Sequence, residues 1–308
     1  MSDLPLVSII TPSFNQGPFL EDTIRSVLSQ SYPHLEYILI DAGSTDNSLE
    51  IIHRYSSKLA YWISEVDRGQ AHAINKGLQR AQGEILGWLN SDDLLLPDAV
   101  SQVVQVFLEE PETGVVYGRL ERIDENGRLL PTPELPKDRT EFSIAHVLGE
   151  CIVNQPGAFW RRSVMDQAGL LNESLSFSLD YEYWIRLALL GVKFKKLPQV
   201  VAHFRLSSGS KTVSQATAMA LEQMKVLEWL IDQAELSQRL GISSQKIEQQ
   251  ACHTRARFCL QAFYGCVKQG DWFEASRWLI KTMENDLLAI FEPRWLKLGL
   301  ASFQRRWR

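Results

Sequence analysis

The sequence predicts an α/β fold: a mainly parallel sheet wound by helices, continued by a helical region at the C-terminal end. Three observations carry this. The first half alternates short apolar runs with amphipathic stretches of helical period. Each of the first four apolar runs ends abruptly in a polar cluster. From about Gln215 onward the strand pattern stops and the chain reads as almost wholly helical.

Along the chain, residues 7–10 form the first strand, followed by a turn over residues 11–17. Pro18 suits the first position of a helix, and Phe19, Ile24, Val27 and Leu28 give that helix an apolar stripe. Residues 36–40 are the second strand, ending at Asp41. Ser44, Asp46 or Ser48 can cap the next helix, which carries Leu49, Ile51, Ile52 and Tyr55. A third strand covers residues 61–64, and a helix over residues 70–81 is stopped by Gly83. The fourth strand, residues 84–89, runs into Asn90-Ser91-Asp92-Asp93, and Pro97 opens another helix. Asp124-Glu125-Asn126-Gly127 between apolar segments reads as a hairpin turn. Residues 157–160 and 200–204 are strands on either side of a helix over residues 180–190.

A chain of 308 residues has room for two domains, placed here at 1–212 and 213–308. With 45% hydrophobic and 22% charged residues it can bury a sizeable core. A net charge of -5 argues against a general nucleic-acid binder, which presents a basic surface. The start of the chain has neither a cationic region nor a long apolar one, which argues against a secretory signal. No apolar run is long enough to span a membrane. Cys252, Cys259 and Cys266 recur every seven residues on one helix face, as buried small apolar side chains do. Reduced thiols and a cytoplasmic location follow, with the inner face of a membrane as the variant location.

In a wound parallel sheet, ligands bind beyond the carboxyl ends of the strands. The four polar clusters fall there. Adjacent Asp92 and Asp93 repel one another and are costly to desolvate, so a cation is a natural complement. They offer hard oxygen ligands for Mn²⁺ or Mg²⁺. A solvated helix start is the simpler alternative. Asp41, ahead of Gly43, can accept an N–H from a uracil or guanine ring, or it can act as an Asx-turn acceptor. Phe14 offers an apolar face for a base, or it packs into the core.

The segments Val7-Ser8-Ile9-Ile10-Thr11-Pro12-Ser13-Phe14-Asn15, Asp41 to Asp46, Gly69 to Asn75 with Gly77, and Asn90-Ser91-Asp92-Asp93 with Pro97 resemble the family 2 glycosyltransferases, in order and spacing. The resemblance covers roughly residues 5–212. It implies the GT-A fold, a Rossmann-like nucleotide-diphospho-sugar transferase architecture, and an inverting, metal-dependent enzyme. It further implies that Thr11, Pro12, Phe14, Asn15 and Asp41, with Arg68, Gly69, Asn75, Asn90 and Ser91, contact the donor nucleotide. Asp92 would bind the metal, with Asp93 a second candidate ligand. Asp180, in Asp180-Tyr181-Glu182-Tyr183-Trp184, matches the family's catalytic base; Glu182 is a weaker candidate, and a helix N-cap is the structural alternative for Asp180. The sequence departs from the family at Leu179, Ile74, Ser207 and Asn90, where Glu, Arg, His and Asp are usual. His203, Arg205 and Lys211 are candidate diphosphate contacts.

The expected function is therefore transfer of a sugar, from a UDP-sugar in preference, to a saccharide or lipid-linked saccharide acceptor in polysaccharide or cell-surface glycan assembly. A sugar-phosphate nucleotidyltransferase is a rival, but it needs a basic first loop, and residues 11–17 contain no Lys or Arg. A binding protein that has lost activity is the other. In the tail, Trp295, Leu296, Phe303 and Trp307 are interleaved with the cations Lys297, Arg305, Arg306 and Arg308. That pattern suits packing, a homodimer contact or a membrane surface.

Overall fold

A computed structural model describes residues 4–131, 142–149, 152–207 and 215–291. Lys211 and the tail from residue 292, with its Trp, Lys and Arg residues, lie outside the described residues. The chain divides into two compact units, residues 1–143 with 151–206, and residues 144–150 with 207–308.

The first unit is built on one sheet. Its strands are β1 (Val7–Ser13), β2 (Leu35–Asp41), β3 (Tyr61–Ser64), β4 (Ile85–Trp88), β5 (Leu94–Leu95), β6 (Thr113–Ile123), β7 (Leu129–Leu130), β8 (Ala158–Arg161) and β9 (Lys193–Arg205). The order is β3-β2-β1-β4-β8-β6-β9-β5, with β7 paired to β6. Strands β1 to β4 are parallel, as their intervening helices require. Strands β6 and β9, the longest pair, are parallel as well, so the mainly parallel expectation holds in both halves of the sheet. Strand β8 enters between β4 and β6 and is antiparallel to both, and β5 is antiparallel to β9. The sheet is thus mixed. The β6–β7 hairpin forms at the anticipated turn, where Asp124 Oδ1 accepts the Asn126 and Arg128 N–H groups and Gly127 takes a φ of 78°.

The helices are α1 (Gly17–Leu28), α2 (Ser48–Tyr55), α3 (Gln70–Arg80), α4 (Ala99–Glu109), α5 (Arg162–Ala168) and α6 (Leu179–Leu189). Alternation along β1 sends Ile9 into a core with Leu20, Ile24 and Val27 of α1 and Ile51 and Ile52 of α2. Ile10 points the other way, against α3. There, a Cβ on Gly77 would lie 2.4 Å from Ile10 Cγ2. Gly77→Ala is therefore expected to destabilise this unit by about 1–3 kcal/mol through overpacking, read as a lower midpoint of chemical unfolding. An unchanged midpoint would mean that α3 can shift away from β1 at no cost.

Helix α4 begins at Ala99 rather than at Pro97, with Asp98 as its N-cap after a turn in which the Leu96 carbonyl accepts the Ala99 N–H. Behind β4, Trp88 stacks parallel to Trp184 of α6 with ring centroids 5.9 Å apart, and Trp160 packs edge-on to both. This aromatic wedge fixes α6 against the end of β4.

The second unit is helical: α7 (Ala216–Ile231), α8 (Leu236–Leu240), α9 (Ser244–Gln269) and α10 (Trp272–Asp286). The Ser243 side chain caps α9 and the Asp271 side chain caps α10. Cys259 and Cys266 are buried thiols on α9, whereas Cys252, on the same stripe, is only half-buried beside Arg255 and Glu248. No helix among the described residues is long and apolar enough to cross a membrane.

Candidate active site

Four loops follow the carboxyl ends of β1 to β4, and the first two are laced into one surface. Asn15 adopts a left-handed φ of 51°, which Asn tolerates better than most residues. Its N–H donates to Ser44 Oγ, and its Oδ1 accepts the Thr45 N–H at 2.8 Å. One residue on, Gln16 N–H donates to Ser48 Oγ, and Gly17 N–H donates to Asp46 Oδ2. The lacing leaves Phe14 at the crest, 57% exposed, so the ring offers a free face. Thr11 and Pro12 are buried within β1; Thr11 Oγ1 accepts the Tyr37 hydroxyl. They support the loop from beneath.

Asp41 is fully buried. Its Oδ2 accepts the N–H groups of Gly43 and Ser44 and the Ser64 hydroxyl, and its Oδ1 accepts the Ser44 hydroxyl. The turn-acceptor alternative is thus realised in full: the carboxylate organises the β2 loop and ties it to β3.

After β3, Gly69 holds a φ of 119° at the start of α3, its N–H bound to Asp67 Oδ1. Arg68 is exposed and paired with Glu173 at 2.6 Å. Asn75 is put to a different use from nucleotide contact. Its amide accepts the Leu171 N–H and donates to the Leu171 carbonyl, each at 3.0 Å, and donates also to Glu173. The Asn75 amide, then Arg68, hold the Glu173 carboxyl below the usual carboxylate range. Asn75 and Arg68 therefore fasten the loop that leads into α6.

The loop after β4 separates its two carboxylates. Asp93 is turned inward and fully buried, with Oδ1 accepting the backbone N–H of Arg205 at 2.9 Å. Burial pushes its carboxyl well above the usual range, and the neighbouring Asp92 charge pushes it further. Through that backbone contact Asp93 anchors the β4 loop to β9. Ser91 is buried as well. Asp92 is partly exposed, and its carboxylate accepts no hydrogen bond from another residue among the described ones. Burial raises its pKa too, partly offset by its own N–H and by Arg205. No three acidic, imidazole or thiol side chains converge among the described residues. A lone available carboxylate still fits Mn²⁺ or Mg²⁺, which take one or two carboxylates and complete their shell with phosphate oxygens and water.

Asn90 sits between two glutamines: Gln70 Nε2 donates to its Oδ1 at 2.8 Å, and its Nδ2 donates to Gln155 Oε1 at 3.0 Å. Gln155 is not among the residues the sequence singles out. It stands between Asn154 and Pro156 just ahead of a strand, with no periodic or motif signal.

Of the candidate diphosphate contacts, Arg205 and His203 lie among the described residues, and both are engaged within the protein. Arg205 is 2% exposed and wholly engaged: Nε donates to the Asp92 carbonyl at 2.8 Å, Nη1 to the Glu125 carbonyl at 3.1 Å, and Nη2 faces Asp22 at 3.4 Å. Its guanidinium also covers the Phe19 ring. Arg205 is a keystone under the β4 loop. His203 lies opposite Glu121 across β6 and β9, 3.4 Å from its carboxylate.

Asp180 occupies the first turn of α6, inside the helix rather than at its N-cap, which is Ser178. It is partly exposed, with Oδ1 accepting the Tyr181 N–H at 2.8 Å. Glu182 is buried in a two-pronged pair with Arg186, at 2.9 and 2.7 Å, which removes it as a base. Arg186 also donates to the carbonyls of Ala168 and Leu170, bracing the same loop that Asn75 holds.

Comparison with known proteins bears on family and fold. Residues 8–168 match the model of the family described as Glycosyl transferase family 2. An uncharacterized glycosyltransferase of Rickettsia conorii is 29% identical over 222 residues, 68% of this chain and 36% of that relative, so the chain spans about a third of its length. A putative teichuronic acid biosynthesis glycosyltransferase of Bacillus subtilis, TuaG, is 41% identical over 108 residues, 34% of this chain and 43% of that protein. Among solved structures, S. aureus TarS 1–349 in complex with UDP-GlcNAc superposes with a TM-score of 0.63 at 16% identity, covering 91% of this chain and 90% of that one. That likeness is one of fold.

Proposed function

Because this chain belongs to glycosyltransferase family 2, we propose that it transfers a sugar from a nucleotide-diphosphate donor, a UDP-sugar in preference, to an acceptor hydroxyl with inversion at the anomeric carbon. The observation that carries the reading is the division of labour at the end of β4. Asp93 is locked inward, whereas Asp92 is partly exposed beyond the strand end and its carboxylate is not tied to another described residue. The exposed Phe14 ring on the β1 loop supplies the face for a base.

Asp92 would hold a divalent ion, Mn²⁺ or Mg²⁺, which when bound offsets negative charge on the departing diphosphate. Asp180 takes the proton from the acceptor hydroxyl as that oxygen attacks the anomeric carbon. The nucleoside diphosphate leaves from the opposite face, so one displacement inverts the centre. The similarity to the putative teichuronic acid enzyme supports a saccharide or lipid-linked saccharide acceptor and a place in polysaccharide assembly.

Thermal unfolding with UDP, GDP and dTDP, each with and without Mn²⁺, tests this on wild type and Asp92→Ala. At one hundred times the dissociation constant a ligand stabilises by about 2.7 kcal/mol, roughly 5–10 °C for a unit of this size. One nucleotide is expected to give a metal-dependent shift that Asp92→Ala abolishes. No shift with any nucleotide would overturn the donor assignment.

A further inference from the structure

The Asn at position 90, where the family's usual residue is Asp, sits in surroundings that demand an amide. The Trp88 carbonyl can only accept, so Gln155, 8% exposed, must turn its amino group toward it, at 2.8 Å. Gln155 Oε1 then faces residue 90 and can only accept, so residue 90 must present a donor, at 3.0 Å. The oxygen of Asn90 is thereby aimed at Gln70, which must donate, at 2.8 Å. A second acceptor, Asp93 Oδ2, stands 3.5 Å from the same Asn90 nitrogen. Each polarity in this relay is dictated by the one before it, back to a backbone oxygen that cannot change.

We infer that Gln155 is a positioning residue for the donor nucleoside: through this relay, completed by Gln70, it fixes the orientation of Asn90 and restricts position 90 to an amide. The inference rests on the donor reading above. A carboxylate at position 90 would set its oxygen against Gln155 Oε1 with no proton between them. Rotating the Gln155 amide offers no relief, because it would set Oε1 against the Trp88 carbonyl.

A double-mutant cycle on the full chain tests this with Asn90→Asp, Gln155→Met and the pair. The readouts are thermal midpoint without nucleotide and UDP affinity with Mn²⁺ by calorimetry. Asn90→Asp alone is expected to lower the midpoint by about 3–8 °C and weaken UDP binding about tenfold or more. In the Gln155→Met background, where the opposing oxygen is gone, the same change should cost less than half as much in both. Additive midpoints would overturn the relay. Coupled midpoints with UDP affinity untouched by Gln155→Met would overturn the positioning role and leave Gln155 a purely structural residue. Wild type that binds no nucleotide, with the midpoint coupling intact, would remove the donor reading and the positioning role together while leaving the relay in the fold.

Discussion

Asparagine in place of Asp180 is expected to lower turnover about 10²–10⁴-fold and to leave UDP affinity and thermal midpoint close to wild type. The separation follows from the atoms involved. Asp180 Oδ1 accepts the Tyr181 N–H, and an asparagine oxygen can accept it equally well. The first turn of α6 is therefore undisturbed, and what disappears is the capacity to take a proton. No nearby carboxylate on α6 can stand in, because both oxygens of Glu182 are occupied by Arg186. The measurement is single-turnover transfer alongside UDP titration of the same preparations. Normal turnover in Asp180→Asn would remove the base assignment. Loss of UDP binding in step with turnover would instead show that Asp180 acts on the donor or the fold.

The distribution of what was legible follows from how side chains are aimed. Strands β1 to β4 and their loops declared themselves through apolar runs ending in polar clusters, because alternation and burial leave a local trace. Residue type and spacing do not say which way a polar side chain turns. Asp92 and Asp93 are adjacent and chemically identical, yet one is locked against the backbone of Arg205, 112 residues away. Asn75 lies in a segment that resembles one of the family's motifs but spends its amide on Leu171, 96 residues on. Strand β8 was legible as a strand, but its insertion antiparallel between β4 and β6 is a long-range choice with no local signature. Gln155 shows the same limit, since its meaning depends on the Trp88 carbonyl and on Asn90 together.

Arg205 carries the largest expected effect on stability. Arg205→Ala should cost about 3–5 kcal/mol and take metal-dependent nucleotide binding with it. The ion pair with Asp22 contributes little to this, since Asp22 is 60% exposed and 3.4 Å away. Most comes from the Asp92 and Glu125 carbonyls, which lose their guanidinium donors, and from the cation lost over the Phe19 ring, 4.8 Å from its centroid. Binding falls too because the Asp92 carbonyl is what the guanidinium grips, so the carboxylate on that residue loses its fixed place. Arg205→Lys separates geometry from charge: a single ammonium cannot span partners that a planar fork reaches together, and it is expected to recover less than half of the loss. Asp22→Ala should cost under about 1 kcal/mol. Chemical unfolding of the three variants checks the order. Lysine restoring full stability would mean that positive charge alone supports the β4 loop, and the keystone assignment would fall.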